Sequence, residues 1–149
     1  MKIAIATDHN GVNEKKELMT ILKDVEIIDM STDNNSTDDY PDFAFRVAKS
    51  IINKEVDLGV LMCGTGIGMS IAANKVKGIR CAHCSNVDQA HLAREHNNAN
   101  IIALSYKQDL SELATMIEEF IKTPFSTEER HSRRVNKIIN YENGEYNEL

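Results

Sequence analysis

Between residues 58 and 68 the chain passes from an apolar run, Leu58-Gly59-Val60-Leu61-Met62, into Cys63-Gly64-Thr65-Gly66-Ile67-Gly68. A buried strand that breaks into alternating glycines and then a helix turns backbone N–H groups toward whatever binds there. Free amides and the helix dipole both favour an anion or a developing oxyanion. The loop also carries a thiol at its first position and a hydroxyl at its third, so it suits proton movement as well as phosphate binding. Glycine-rich strand-to-helix turns also serve packing alone, and cysteine is commonly just a small buried residue.

Known phosphate loops fit this segment poorly. No Lys-Ser or Lys-Thr pair closes it as in a Walker motif. Gly64-x-Gly66-x-Gly68 has its third glycine one place early for the dinucleotide fingerprint and follows the wrong strand. A cysteine phosphatase would need an arginine six positions beyond the thiol, where Met69 stands. Other chemistry-bearing residues are His9, His96-Asn97, Arg130 and Arg134. A lone histidine is commonly exposed or structural. Arg130 and Arg134 share a helical face, where two guanidinium forks suit a phosphate between them or form part of a solvated charged face. Cys81 and Cys84, three apart in a strand, point to opposite faces and read as structural. Met62, Met69 and Met116 read as core, and Asp57 and Asp109 as element ends.

These groups need elements to position them. Lys2–Thr7, Val25–Met30, Asp57–Met62, Ile79–Cys84 and Ile101–Leu104 read as strands, each followed by a helical pattern. Lys15, Leu18, Met19 and Leu22 mark the first helix, and Phe43, Ala44, Val47, Ala48, Ile51 and Ile52 the face of the second, with Pro41 in its first turn. Ser31–Asp39 reads as a polar loop. The third helix is expected to run through Val76, the fourth over Val87–His96, and the fifth to carry Leu110, Leu113, Ala114, Ile117, Phe120 and Ile121. A basic terminal helix follows Pro124, and the polar tail from Glu142 is expected to fray. Five β–α repeats imply an α/β fold: a three-layer α/β/α, Rossmann-like single domain over 1–149, with a five-stranded parallel sheet and an extra C-terminal helix. Ligands on such sheets bind outside the carboxyl ends of the strands. That rule collects Asp8-His9, Cys63 to Gly68 and the residues after the fifth strand.

Several of these segments together resemble the ribose-5-phosphate isomerase B family, which includes galactose-6-phosphate and allose-6-phosphate isomerases. The matching stretches are Ile5-Ala6-Thr7-Asp8-His9, Asp39-Tyr40-Pro41-Asp42-Phe43-Ala44, Cys63 to Gly68, Ile71-Ala72-Ala73-Asn74-Lys75, Gly78-Ile79-Arg80, Arg94 to Asn100 and Arg130-His131. The resemblance implies an aldose–ketose isomerase that works without a metal or other cofactor, through an enediolate. It implies Cys63 as the base, Thr65 and the amides of Gly64, Gly66, Ile67 and Gly68 as holders of the enediolate oxygens, and His96 as the ring-opening acid/base. Asp8 and Asn97 would bind the sugar, and His9, Arg130 and Arg134 the phosphate. A branch of the family places a glutamate base where Met69 stands here, so this chain resembles the cysteine branch. The family shares its site across a homodimer, which implies that His96 and Asn97 act in trans; a tetramer stays open. One departure is Ser105-Tyr106-Lys107, where family members commonly carry Gly-x-Arg. Lys107 can offer charge to a phosphate there, but as a point and not a fork.

The chain has 149 residues, 42% hydrophobic and 27% charged, with a formal net charge of −6. That balance suits a globular domain and disfavours nucleic acid or an anionic membrane surface as a partner. No apolar run is long enough to span a bilayer, no leader is expected before the first strand, and three cysteines suggest reduced thiols in the cytoplasm. The function that the resemblance implies is interconversion of ribose 5-phosphate and ribulose 5-phosphate. The alternatives are a hexose 6-phosphate isomerase, a non-catalytic nucleotide or sugar-phosphate binding module, and a metal enzyme built on His9, Cys63 and His96.

Overall fold

The computed structural model describes residues 1–147; the last two positions of the 1–149 span lie outside the described residues. Strands β1 (Lys2–Thr7), β2 (Glu26–Asp29), β3 (Leu58–Cys63), β4 (Cys81–His83) and β5 (Ile101–Ser105) alternate with helices α1 (Val12–Ile21), α2 (Tyr40–Ile52), α3 (Ile67–Ala73), α4 (Val87–Asn97) and α5 (Leu110–Lys122). Helix α6 (Glu129–Glu142) closes the described chain. All strand pairs are parallel, in the order β2-β1-β3-β5-β4.

Both faces of the sheet are covered, and the period-two alternation of the strands divides two cores between them. Ile3, Ile5, Val60, Met62, Ile102 and Leu104 pack with Leu18 of α1, Ala90 of α4 and Phe120 of α5. Ala4, Ala6, Leu61, Cys63, Ile101 and Ala103 face Phe43 and Val47 of α2 and Met69 and Ala72 of α3. This is the expected three-layer arrangement. Cys84 belongs to the first core and Cys81 to the second, as their spacing predicts. Burial pushes the Cys81 thiol up to about 12 and Cys84 up to about 11, which leaves both protonated.

The strand order could not be read locally. β5 inserts between β3 and β4, so β1, β3 and β5 lie side by side, and the chain's direction of progress across the sheet reverses between β1 and β3. Such a reversal opens a crevice at the carboxyl ends.

Several boundaries differ from the sequence expectation. β3 continues through Cys63, which pairs with Ser105. β2 is shorter at both ends. Helix α3 stops at Ala73 because Asn74 turns its side chain onto the edge strand, donating to Cys81 O at 2.9 Å and accepting from Cys81 N at 2.8 Å. β4 is short for a related reason: the Arg80 amide donates to Asn100 Oδ1 at 2.8 Å, so asparagine side chains satisfy backbone that a longer ladder would have used. The tail, expected to fray, is held as far as it is described. Glu142 accepts from Gly78 N at 3.1 Å, and the Tyr146 ring meets Tyr141 edge-on with centroids 5.7 Å apart.

Candidate active site

Cys63 ends β3 with its side chain 5% exposed, on the side of the sheet covered by α2 and α3. The Gly66 N–H donates to its Sγ at 3.2 Å. Gly66 reaches that position with φ +81, in the left-handed region that suits glycine. A Cβ there would also stand 2.9 Å from His83 Cδ2 and 3.0 Å from the Leu104 carbonyl carbon. Gly68 is needed for space, since a Cβ would lie 2.6 Å from the Tyr40 ring. Thr65 is exposed, and its Oγ1 accepts from the Ile67 amide at 3.1 Å, which leaves the hydroxyl proton to donate elsewhere. The far side of the loop is tied down. Ser105 Oγ donates to Gly64 O at 2.8 Å, His83 Nε2 lies 2.8 Å from Thr65 O, and the Tyr106 amide donates to Cys63 O at 3.2 Å.

On the neighbouring strand Thr7 pairs with Met62, so Asp8 and His9 leave β1 level with Cys63. The Asp8 carboxylate accepts from the Asn10 amide at 3.0 Å and caps a short 3-10 turn over His9–Gly11. His9 Nδ1 lies 2.7 Å from Asp38 Oδ1, which also accepts the His9 amide at 3.1 Å. The other Asp38 oxygen accepts from Asn34 Nδ2 at 2.9 Å and the Asn35 amide at 3.1 Å. Burial works to raise the Asp38 carboxyl, but these bonds, from Asn34 and His9 above all, hold it below its usual range. With Nδ1 engaged, Nε2 is the His9 nitrogen left for a ligand.

Behind Asp38 stands a buried cation. Lys15 is 2% exposed, and its Nζ donates to Ser31 O and Ser31 Oγ at 2.9 Å and to Asn34 Oδ1 at 3.2 Å, with Asp29 Oδ1 at 3.0 Å. Those oxygens offset the loss of water around the ammonium. Asn34 also donates to Thr7 O at 2.9 Å. The polar 31–39 loop is thus fastened to the end of β1, with His9 at the end of the chain of contacts.

The remaining candidates gather elsewhere. Helix α4 runs back along the sheet, so His96 and Asn97 end it near the amino ends of the strands. There Asn100 O accepts from Gly59 N at 2.9 Å, while Cys63 pairs with Ser105. Five residues of strand separate those levels, roughly 17 Å. The His96 ring stacks on His131 with centroids 4.2 Å apart and planes at 26°. His131 is 4% exposed, and its Nδ1 has no hydrogen-bond partner among the described residues. Burial, with the charges of His96, Arg130 and Arg134, pushes its imidazole down. Arg130 Nε donates to Glu128 at 2.7 Å, and Arg134 is exposed one turn further along α6.

One chain therefore carries two clusters. Asp8, His9, Cys63, Gly64, Thr65, Gly66, Ile67, Gly68 and Lys107 belong to the first, where Lys107 Nζ lies 4.0 Å from the point a Gly64 Cβ would occupy. His96, Asn97, Arg130 and Arg134 belong to the second. Grouping His9 with the two arginines at one phosphate is not met within a single chain, and neither is the metal set of His9, Cys63 and His96, because a helix length intervenes. Sequence reasoning passed over Asp38, Tyr40, His83 and Tyr106, all in contact with the first cluster. Tyr40 carried a signal as part of a matched motif and Tyr106 as part of the segment after the fifth strand, each without an assigned role.

Residues 3–138 match the family described as Ribose/Galactose Isomerase. A Bacillus subtilis protein named as a putative sugar phosphate isomerase is 51% identical over 146 residues, covering 95% of this chain and 97% of that one. The Escherichia coli protein named ribose-5-phosphate isomerase B is 42% identical over 139 residues, covering 92% of this chain and 93% of the other. Among solved structures, type B ribose 5-phosphate isomerase from Trypanosoma cruzi superposes with a TM-score of 0.92 at 41% identity, over 97% of this chain and 99% of that one. The ribose-5-phosphate isomerase B of Mycoplasma genitalium, solved with bound ribulose-5-phosphate, gives 0.87 at 42% identity over 95% and 96% of the two chains. With a two-layered helical cover on a 2-1-3-5-4 parallel sheet and a thiol at its switch point, the chain belongs to the ribose/galactose isomerase family.

Proposed function

We propose that this protein interconverts ribose 5-phosphate and ribulose 5-phosphate by proton transfer through an enediolate. The observation that carries this reading is the Cys63 sulfur, held by the Gly66 amide at the switch point beside Asp8 and His9. His96 moves a proton between the ring oxygen and the anomeric hydroxyl to open the sugar. Cys63 as thiolate then takes the proton from C2 of the aldose, and the C1 carbonyl pair becomes an enediolate oxygen. Thr65 and the loop amides stabilise that charge, the role of an oxyanion hole. The thiol returns its proton to C1, the O2 proton passes to O1, and the ketose results. No redox partner or metal enters this balance.

The two clusters within one chain support a homodimer in which the site is shared. His96 and Asn97, with Arg130 and Arg134, complete the partner's Cys63 loop, and His9 meets the arginines at the phosphate only across the interface. Apolar exposure is distributed accordingly. Ile67 (50%) and Ile71 (59%) stand on α3 beside the glycine loop, and Leu92 and Ile138 stand near the second cluster. A two-fold contact pairs such unlike patches reciprocally. No helix among the described residues is long and apolar enough to cross a membrane. The three cysteines are free and buried, which supports the cytoplasm, and the proposed reaction supports a part in pentose phosphate metabolism.

A coupled assay comparing ribose 5-phosphate with allose 6-phosphate tests the reading. Faster turnover of the pentose is expected; preference for the hexose transfers the site to the alternative substrate, and binding without turnover of either makes it a binding module. Asp38→Ala probes the phosphate end. Freeing the His9 ring is expected to raise KM for ribose 5-phosphate roughly tenfold with kcat little changed, since a hydrogen bond to a charged group contributes about 1.5–3 kcal/mol. A lowered kcat at constant KM would remove His9 from the phosphate.

A further inference from the structure

Tyr106 has no task in the proposed mechanism, yet it borders the first cluster from the side of the sheet that α1 and α5 cover. It leaves β5 directly, with its amide on Cys63 O at 3.2 Å. Its ring packs against the 3-10 turn, where a Cβ on Gly11 would stand 2.9 Å from Cδ1. Its hydroxyl lies 3.6 Å from the point a Gly64 Cβ would take. The ring therefore spans from the turn that carries His9 to the loop that carries Cys63. Those are the phosphate end and the reacting end of the proposed site.

We infer that Tyr106 is a specificity-determining residue: its ring walls the path of the sugar chain between His9 and Cys63 and limits the substrate to five carbons. The inference rests on the proposed function. A sugar phosphate held at both ends must fit its carbons between them. One further CHOH unit adds roughly 1.2 Å of extended chain, and a chain fixed at its ends takes up such an excess by bowing sideways. The phenol fills the space beside that path. Lys107, which stands where family members commonly carry the arginine of Gly-x-Arg, lies at the same edge, 4.0 Å from the same Gly64 position.

The hydroxyl adds a polar contact to the wall. Burial and the nearby charges of Asp8, Cys63 and Glu14 raise the phenol above its ordinary range, with the Asn10 side chain working the other way. It stays protonated at neutral pH and is a donor to a sugar hydroxyl. Bulk and donor are separable by substitution. Tyr106→Phe keeps the wall and removes the donor, Tyr106→Ala removes both, and Tyr106→Leu shortens the wall while keeping apolar packing on Gly11.

The test is kcat/KM for ribose 5-phosphate and for allose 6-phosphate in the wild type and the three variants, with thermal melting as a check on folding. In Tyr106→Ala the hexose-to-pentose ratio is expected to rise at least about tenfold, within the range that one methylene-sized change in a pocket controls. In Tyr106→Phe the ratio stays near the wild-type value while both kcat/KM values fall about tenfold, as for one lost hydrogen bond. Tyr106→Leu is expected to move the ratio in the same direction as alanine and decides the matter if alanine fails to fold. A ratio unchanged in both shortened variants overturns the inference while leaving the proposed reaction standing. A wild type inactive on both sugars fails the proposed reaction instead.

Discussion

Cys63→Ala is expected to lower kcat for ribose 5-phosphate by about 10⁴-fold, the upper end of what one positioned acid or base contributes. The sulfur is the titratable group that β3 itself carries to its carboxyl end, and Met69, in the first turn of α3, is fully buried with no titratable atom. The substitution removes one buried atom from a position that stays in strand geometry, paired with Ser105. The Gly66 amide loses its sulfur acceptor, but Thr65 and the His9–Asp38 pair are untouched, so binding of substrate or a non-reactive phosphate analogue should change less than about threefold. Solvent hydrogen exchange at C2 of the substrate, followed by NMR, should disappear together with turnover. A variant that keeps exchange while losing net isomerisation would assign the base elsewhere. Turnover within tenfold of wild type would remove Cys63 from the chemistry altogether.

The elements that sequence made legible are those whose pattern is local. The i, i+3, i+4 apolar spacing in α2 and α5 put Phe43, Val47, Leu113, Ile117 and Phe120 in the core, and all of them are buried. The glycine loop was legible because glycine spacing after an apolar run has a backbone meaning of its own. The order of β4 and β5 had no local signal, since both strands are short apolar runs that a crossover connects equally well in either place. Lys15 was hidden for another reason. A lysine in an amphipathic helix is ordinarily solvated, and this one is buried only because Asp29, Ser31 and Asn34 arrive from a loop read simply as polar. Asp38 and Tyr106 were missed with it, as each acts through contacts tens of residues away in the chain. The matched motifs supplied the residue types of the second cluster. That His96 sits with the two arginines, and apart from Cys63, follows from the antiparallel run of α4 against the sheet.

That separation yields the sharpest test of a shared site. Cys63→Ala and His96→Ala are each expected to be nearly inactive alone, the second because ring opening loses its proton carrier, an effect on the order of 10²–10⁴-fold. Mixed in equal amounts and allowed to exchange subunits, they should regain activity. In a two-fold dimer whose sites each take Cys63 from one subunit and His96 from the other, a mixed dimer has one site with both residues intact and one with neither. Random exchange makes half the dimers mixed, and half of their sites work, so the mixture should reach about a quarter of the wild-type rate. A site confined within each chain predicts the opposite, because every subunit in the mixture would lack one residue or the other. Arg134→Ala can replace His96→Ala as the second partner, with restored KM as the readout. Because Arg134 lies one turn from His131 on α6, and His131 stacks on His96 at 4.2 Å, both partners of Cys63→Ala should complement it in the same proportion. Complementation by one and not the other would divide the second cluster between the two subunits.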